Sequence, residues 1–521
     1  MGISLSEDKG IKRNKGNTDK ASKSTSQIQR KRSKFTLIAL GILLFFLIVL
    51  VYFFVAERLD CGDSQLEDVN DRNEELVKDS KPSIFKDINP GIEGSNPRDF
   101  YLIGSVLYFS ANDGETGYEL WKSDGTFEGT VLFMNMNENR NSFPDNIISA
   151  GEDYFYFSTS YSSADRKESG TRLWRSDGTE SGTEKVMDWD NKLETYVNNF
   201  NMVGDNLYFF GDSINERDFE LWKSDGTETG TISLMNVYPD SCFSDDYPLL
   251  GIQNWLIVPF RSTLYFTSMN NDCTWELLKT DGTVEGIEKI LDFKEAPKAL
   301  FVSSDTLFFD TEDDLWKSDG TKSGTEIVKD IILVSESSQS EGFVSINGEL
   351  VFSVDNLIHG DELWKSYGTD FGNYFDRGIY LEDRDKVIFS HSFPSDFVAF
   401  KDAVYFIADD RIFGNELWKS DGTEAGTILV KDIYPGNKGS MFYYDSIIAG
   451  EKLYFVADDG IHGRELWESD GTEAGTKMVM DIFPGEEGSS PSYLIILGDT
   501  LFFDADDPTH GDELWFLKLS K

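Results

Sequence analysis

The phrase Glu119-Leu120-Trp121-Lys122-Ser123-Asp124-Gly125-Thr126 returns along most of this chain. It comes back as Leu173-Trp174-Arg175-Ser176-Asp177-Gly178-Thr179, and again around Trp222, Trp316, Trp364, Trp418 and Trp467. A degenerate copy, Glu276-Leu277-Leu278-Lys279-Thr280-Asp281-Gly282-Thr283, has Leu278 in the Trp place, and a truncated one is Glu513-Leu514-Trp515. The nine units are spaced 53, 48, 56, 38, 48, 54, 49 and 48 residues apart. A period near fifty means an array in which each unit buries its apolar face against its neighbours.

One unit shows what each repeat builds. Ser446–Ala449 is a short apolar strand, and Gly450-Glu451 is a tight turn in which Gly supplies the positive φ a hairpin needs. Leu453–Ala457 is an aromatic and β-branched strand followed by the polar turn Asp458–Gly463. Glu465-Leu466-Trp467 opens a third strand, Asp470–Thr476 is a longer turn, and Met478–Ile482 is a fourth strand. No stretch after residue 83 has helical periodicity. Four antiparallel strands per unit describe a propeller blade. The last unit stops after its third strand, while an orphan, Ser83-Ile84-Phe85-Lys86-Asp87-Ile88-Asn89-Pro90-Gly91, resembles the fourth strand and exit at Val430–Gly436. The expected fold is therefore all-β: a propeller of about nine four-stranded blades, closed by that N-terminal strand, over 83–521. Closure removes exposed sheet edges. The weak fourth and sixth units leave open a seam between two smaller rings.

Charge divides the chain. Residues 1–34 carry ten Lys/Arg against three Asp/Glu, and the remainder 90 acidic against 38 basic residues. Between these regions, Phe35–Val55 runs 21 residues without a charge. At ~1.5 Å per residue it spans ~31 Å, the thickness of a bilayer's hydrocarbon core. Arg30-Lys31-Arg32-Ser33-Lys34 precedes it and an acidic stretch follows, so the positive-inside rule sets 1–34 in the cytoplasm and 56–521 outside, whether extracellular, periplasmic or lumenal. The apolar run is longer than a cleaved signal peptide's, and Phe54-Val55-Ala56 is a poor cleavage site. The expected plan is a disordered basic tail (1–34), a signal-anchor helix (35–55), an acidic stalk (56–82) and the repeat array (83–521). Preceding that array is a single-pass membrane anchor. An array this acidic repels nucleic acid and anionic lipid.

The phrase Glu-Leu-Trp-x-x-Asp-Gly-Thr resembles the ELWxxDGT repeat family, from about 83 to 521. That resemblance implies a large exported or surface protein of a microbe and implies no particular reaction. Two units depart from the pattern: Leu278 replaces Trp in the fourth, and Tyr367 replaces Asp in the sixth.

The recurring Trp reads as core filling between blades, its N–H bonded to backbone. The Asp-Gly-Thr turn reads as structural. The turn before Glu-Leu-Trp is the candidate metal site. Asn112, Asp113, Asp409, Asp410, Asp458, Asp459, Asp506 and Asp507 place oxygen ligands of the kind calcium takes in short loops, against the plainer reading of Asp-rich hairpins. These turns and the Pro-Gly-x-x-Gly-Ser loops between blades would share one acidic rim. Cys242 and Cys273 fall in the two loop types of one unit, a candidate disulfide. Cys61 in the stalk is a candidate dimer link. His359, His462 and His510 share one repeat position and read as turn residues, and His391 stands alone. No zinc spacing, nucleophile elbow, phosphate loop or dinucleotide fingerprint is present. The favoured function is thus a surface module that binds a protein or glycan, with calcium as a candidate support. The alternatives are a glycan hydrolase or other enzyme with a site at the central channel, sought first near Tyr374–Pro394, and a structural spacer or surface coat protein.

Overall fold

A computed structural model describes residues 81–519 apart from 138–140, 163–168, 190–196, 213–218, 240–241, 243–255, 295, 298, 304, 312–313, 331–342, 347, 357–359, 367–372, 378–391 and 441–444. The tail, apolar segment and stalk, Cys61, His359 and His391, and most of Tyr374–Pro394 lie outside the described residues. Among those described, no helix is long and apolar enough to cross a membrane.

The described chain forms nine four-stranded antiparallel sheets, the blades of a β-propeller. Blade one is Arg98–Ile103, Val106–Asn112, Tyr118–Ser123 and Val131–Met134. Blades two to eight repeat this order over 144–188, 197–238, 257–293, 300–330, 343–377, 395–431 and 446–478. Blade nine takes three strands from the end of the chain, Ser492–Leu497, Thr500–Asp507 and Gly511–Lys518. Its fourth is Ser83–Lys86, antiparallel to Gly511–Lys518, with Ser83 opposite Phe516 and Ile84 opposite Trp515. First strands of neighbouring blades pack on one another, blade one's against those of both blade two and blade nine. They are therefore the inner strands. Between blades five and six, the Phe301 and Phe343 rings stack at 4.2 Å.

The core is a cross-strand pair repeated in every blade. A second-strand Phe lies directly opposite the third-strand Trp, as Phe109 opposite Trp121, Phe209 opposite Trp222 and Phe455 opposite Trp467. In blades two, three and five the two rings are nearly parallel, 5.9–6.3 Å apart. Blade four keeps the pair as Phe266 opposite Leu278, both buried. Large aromatic areas paired in register leave each blade an apolar face that the next blade buries.

For most of the repeat Trp residues the expected backbone partner for the N–H is not found among the described residues. Trp174 donates to the Thr159 hydroxyl at 2.9 Å. The indole nitrogens of Trp121, Trp222, Trp316, Trp418, Trp467 and Trp515 are buried without a partner among the described residues. Blade two has a Thr two residues after the paired Phe, where blade eight has the fully buried Ala457. Substituting Ala457→Thr should give Trp467 an acceptor and raise stability by about 1 kcal/mol, read as the melting temperature against wild type. A fall would mean that the extra methyl overfills the site.

The Asp-Gly-Thr turns are held by their own side chains. Asp124 Oδ1 accepts from the Thr126 N–H (2.9 Å) and hydroxyl (2.6 Å), and Thr126 Oγ1 accepts from the Gly129 N–H. The Ser123 and Thr130 hydroxyls close the base of the turn at 2.6 Å. The same set recurs at Asp177, Asp225, Asp319, Asp421 and Asp470. These turns also join blades. Lys122 donates to the Gly178 carbonyl, Lys223 to that of Gly282 and Lys419 to that of Gly471. Gly282 must be glycine twice over. Its φ is +93°, and a Cβ there would lie 2.2 Å from the Tyr208 hydroxyl of the preceding blade.

Candidate functional site

In the turns read as candidate calcium loops, side-chain oxygens accept from the turn's own backbone. Asn112 Oδ1 accepts from the Gly114 N–H, and Asp113 Oδ1 from the N–H groups of Glu115 and Thr116. Asp409 accepts from Arg411, and Asp410 from Ile412 and Phe413. Asp458 accepts from Gly460, and Asp459 from Ile461 and His462. Asp507 accepts from Thr509 and His510. The remaining oxygens of Asp459 and Asp507 are 2.7 Å from the Nδ1 atoms of His462 and His510, so both histidines are turn residues. Asp506 lies beside Asp507, its carboxyl raised by burial and then by that neighbour. Among the described residues no group of three or more His, Cys, Asp or Glu is arranged to hold a metal ion.

The turns do share a rim with the loops between blades. The Ser440 N–H bonds the Asn415 carbonyl and the Asp458 N–H bonds that of Ser440, which ties blades seven and eight. Cys242 and Cys273 are disulfide-bonded, with Cα atoms 5.4 Å apart across 31 residues of sequence. The link pins the exit of blade three to the turn of blade four. A loop of that length stabilises by about 3.7 kcal/mol in the chain-entropy account. The double variant Cys242→Ser with Cys273→Ser should lose ~2–4 kcal/mol in a denaturant titration, and reduction of the wild type should match it.

Sequence reasoning missed the role of the motif's glutamate. Glu119, Glu416, Glu465 and Glu513 are fully buried. Each carboxylate receives the loop leading to the next blade. Glu416 accepts from the Ile433 and Tyr434 N–H groups at 3.0 and 2.9 Å and from the Ser440 hydroxyl at 2.9 Å. Glu465 accepts from Phe483 N–H, Ser489 N–H and Ser489 Oγ. Glu513 accepts from Ile88 N–H, Asn89 N–H and Ser95 Oγ. Burial pushes the carboxyls of Glu119 and Glu416 up to about 7, against the pull of these donors. The signal lay in the sequence. A Ser follows three of these Glu at a near-constant distance, Glu119 to Ser142, Glu416 to Ser440 and Glu465 to Ser489, while blade two has Arg172 in place of Glu.

Where the repeat is broken, two polar features stand out. The first lies on inner strands. The Arg98 guanidinium sits 4.4 Å over the Tyr118 ring, with its Nε 3.8 Å from Asp99. The Asp99 carboxyl is raised to about 6 by burial and then by Asp145, with Arg98 opposing. The second is a cleft of about 660 Å3 between blades one and two, on the Asp-Gly-Thr face. Its walls include Ile103, Val106, Val131 and Phe155, with Asp124, Asp177, Glu152 and Asp153 around them. The turn Gly151-Glu152-Asp153 is one residue longer than Gly450-Glu451 of blade eight, and it sets Tyr154 where blades four, five and nine have Thr263, Thr306 and Thr500. The Tyr154 ring is 39% exposed and carries the Arg175 guanidinium at 4.1 Å.

The fold defines a class: a nine-bladed, all-β propeller. No protein-family model matches the chain, and no curated protein matches it. Among solved structures it is similar to puromycin hydrolase, at 9% identity and a TM-score of 0.37, over 81% of this chain and 60% of that one. It is similar to oligopeptidase B from Leishmania major at 11% identity and a TM-score of 0.39, over 73% and 53%. The β-propeller domain of the trilobed protease from Pyrococcus furiosus gives 14% identity and a TM-score of 0.30, over 63% and 96%. The chain spans about three fifths of the length of the puromycin hydrolase structures it matches. No activity transfers across likenesses of this size.

Proposed function

We propose that this protein is a non-enzymatic binding module: a closed ring of the ELWxxDGT type, held outside the cell's cytoplasm by a helix at 35–55. The observation that carries the binding role is how the polar residues are used. Those that repeat are spent on turns and on links between blades. The cleft between blades one and two, where the repeat is broken, leaves carboxylates and a ring open to a ligand. Calcium is not needed to account for the rim carboxylates. The pairing of Ser83–Lys86 with Gly511–Lys518 supports closure of the ring by the N-terminal strand. The charge-free run at 35–55, basic before and acidic after, supports the anchor.

Two measurements test this. The full-length chain should stay in the membrane fraction after alkaline extraction, with the propeller shielded from protease added on the cytoplasmic side. Recovery in the soluble fraction overturns the anchor. On an array of peptides and oligosaccharides the chain in uncharged detergent should bind a subset saturably and leave it chemically intact by mass spectrometry. Cleaved products would favour the hydrolase reading. An absence of saturable binding would favour a spacer.

A further inference from the structure

We propose that the cleft between blades one and two holds a peptide segment of a partner protein in which lysine or arginine alternates with apolar residues. The inference rests on the binding-module reading and gives it a place and a partner chemistry. At about 660 Å3 the cleft is within the range of sites that enclose a ligand. Ile103, Val106, Val131 and Phe155 supply an apolar surface, and Tyr154 closes one side as a ring already fixed by Arg175.

Charge decides the ligand. Four carboxylates border the cleft, Asp124, Asp177, Glu152 and Asp153, against one lining cation, Lys122, while Arg175 beside Tyr154 is paired with Glu184 at 3.8 Å. Lys122 is engaged, donating to the Gly178 carbonyl at 3.2 Å and lying 4.9 Å over the Phe133 ring. Hydrogen bonds from Thr126 and Thr179 hold Asp124 and Asp177 below the usual carboxylate range, so both are ionised at neutral pH. Glu152 and Asp153 are exposed, and no hydrogen bond or ion pair to either is present among the described residues. The site therefore repels phosphate, acidic glycans and nucleic acid. It attracts a cation whose apolar neighbours cover the floor. The longer turn and Tyr154 confine these features to this junction.

The test is fluorescence anisotropy of a fluorescein-labelled hexapeptide of alternating leucine and lysine, titrated with the full-length chain in uncharged detergent. Saturable binding is expected. It should weaken at least tenfold in Glu152→Gln with Asp153→Asn, and likewise in Tyr154→Thr, the residue three other blades carry. It should also weaken with salt, since the screening length falls from ~10 Å at 0.1 M to ~3 Å at 1 M. The control Glu451→Gln with Glu473→Gln in blade eight removes the same charge elsewhere and should bind as wild type. Equal weakening in the control means general acidity and overturns the site. Displacement of the peptide by neutral maltohexaose overturns the partner chemistry. An absence of peptide binding overturns both. Saturable binding that ignores the cleft substitutions sinks the cleft yet leaves the module standing, whereas failure of every arrayed ligand sinks the module itself.

Discussion

Deletion of residues 81–90 from the full-length chain is expected to abolish the single cooperative melting transition of the propeller. The segment supplies the fourth strand of blade nine. Phe85 packs edge-on against Phe502 at 4.9 Å and Phe516 at 5.3 Å, and Ile88 is buried. Each such side chain contributes roughly 1.5–3 kcal/mol through burial. The deletion also removes two of the N–H donors to Glu513, those of Ile88 and Asn89, and leaves a buried carboxylate short of partners. The combined loss exceeds ~5 kcal/mol, a large share of the ~5–15 kcal/mol by which a domain is stable. Gly511–Lys518 would also become an unpaired edge, so aggregation on heating should accompany the loss. Appending Ser83–Gly91 after Lys521 through a Gly/Ser linker should restore the transition. A deleted chain that melts within a degree or two of wild type would mean that the ring is not held by this strand.

The second large effect is expected at Glu465→Ala, a loss of about 3–6 kcal/mol. The substitution leaves Phe483 N–H, Ser489 N–H and Ser489 Oγ without their acceptor in a buried site, and each stranded group costs ~1–3 kcal/mol. Glu465→Gln retains an acceptor oxygen and should cost far less. A Gln variant as unstable as the Ala variant would show that charge, not acceptance, is what the loop needs.

The same glutamates set the pH response. Their carboxyls are raised in the folded state, to about 7 for Glu119 and Glu416, with Glu465 and Glu513 raised as well, in each case chiefly by burial. A raised carboxyl contributes stability that is complete below its unfolded value and is lost as pH rises through its folded value. Melting temperature should therefore fall between about pH 5 and pH 8. The turn aspartates act oppositely and lower down. Asp124, Asp177 and Asp470 are depressed by their Thr bonds, so their contribution disappears only at pH below the usual carboxylate range. A melting temperature that rises from pH 5 to pH 8 would contradict the burial assigned to the glutamates.

The blades were readable from sequence because every local cue agreed. Gly450 marks a turn, Asp470 to Thr476 mark another, and the Phe455–Trp467 pair lies where alternation puts it. Ser83–Gly91 carries the fourth-strand pattern, and Ser83–Lys86 pairs with Gly511–Lys518. The reading of Asp459 and its equivalents rested on residue type alone. A carboxylate in a short loop suits a cation or three backbone N–H groups equally well, and only coordinates show which donors face it. Glu465 was passed over because an exposed and a buried glutamate look alike in sequence. The cleft was invisible for a different reason: one extra residue at Glu152-Asp153 is a small change in spelling, and its effect depends on which blade stands opposite.

The offset between sequence unit and blade has a consequence for how the gene can change length. Ser83–Lys86 is the fourth strand of blade nine, whereas blades one to eight each take four consecutive strands. Unequal crossing-over between two copies of the coding repeat would add or remove one whole blade while Ser83–Lys86 still met Gly511–Lys518. Selection on blade number can then act without having to reinvent the clasp.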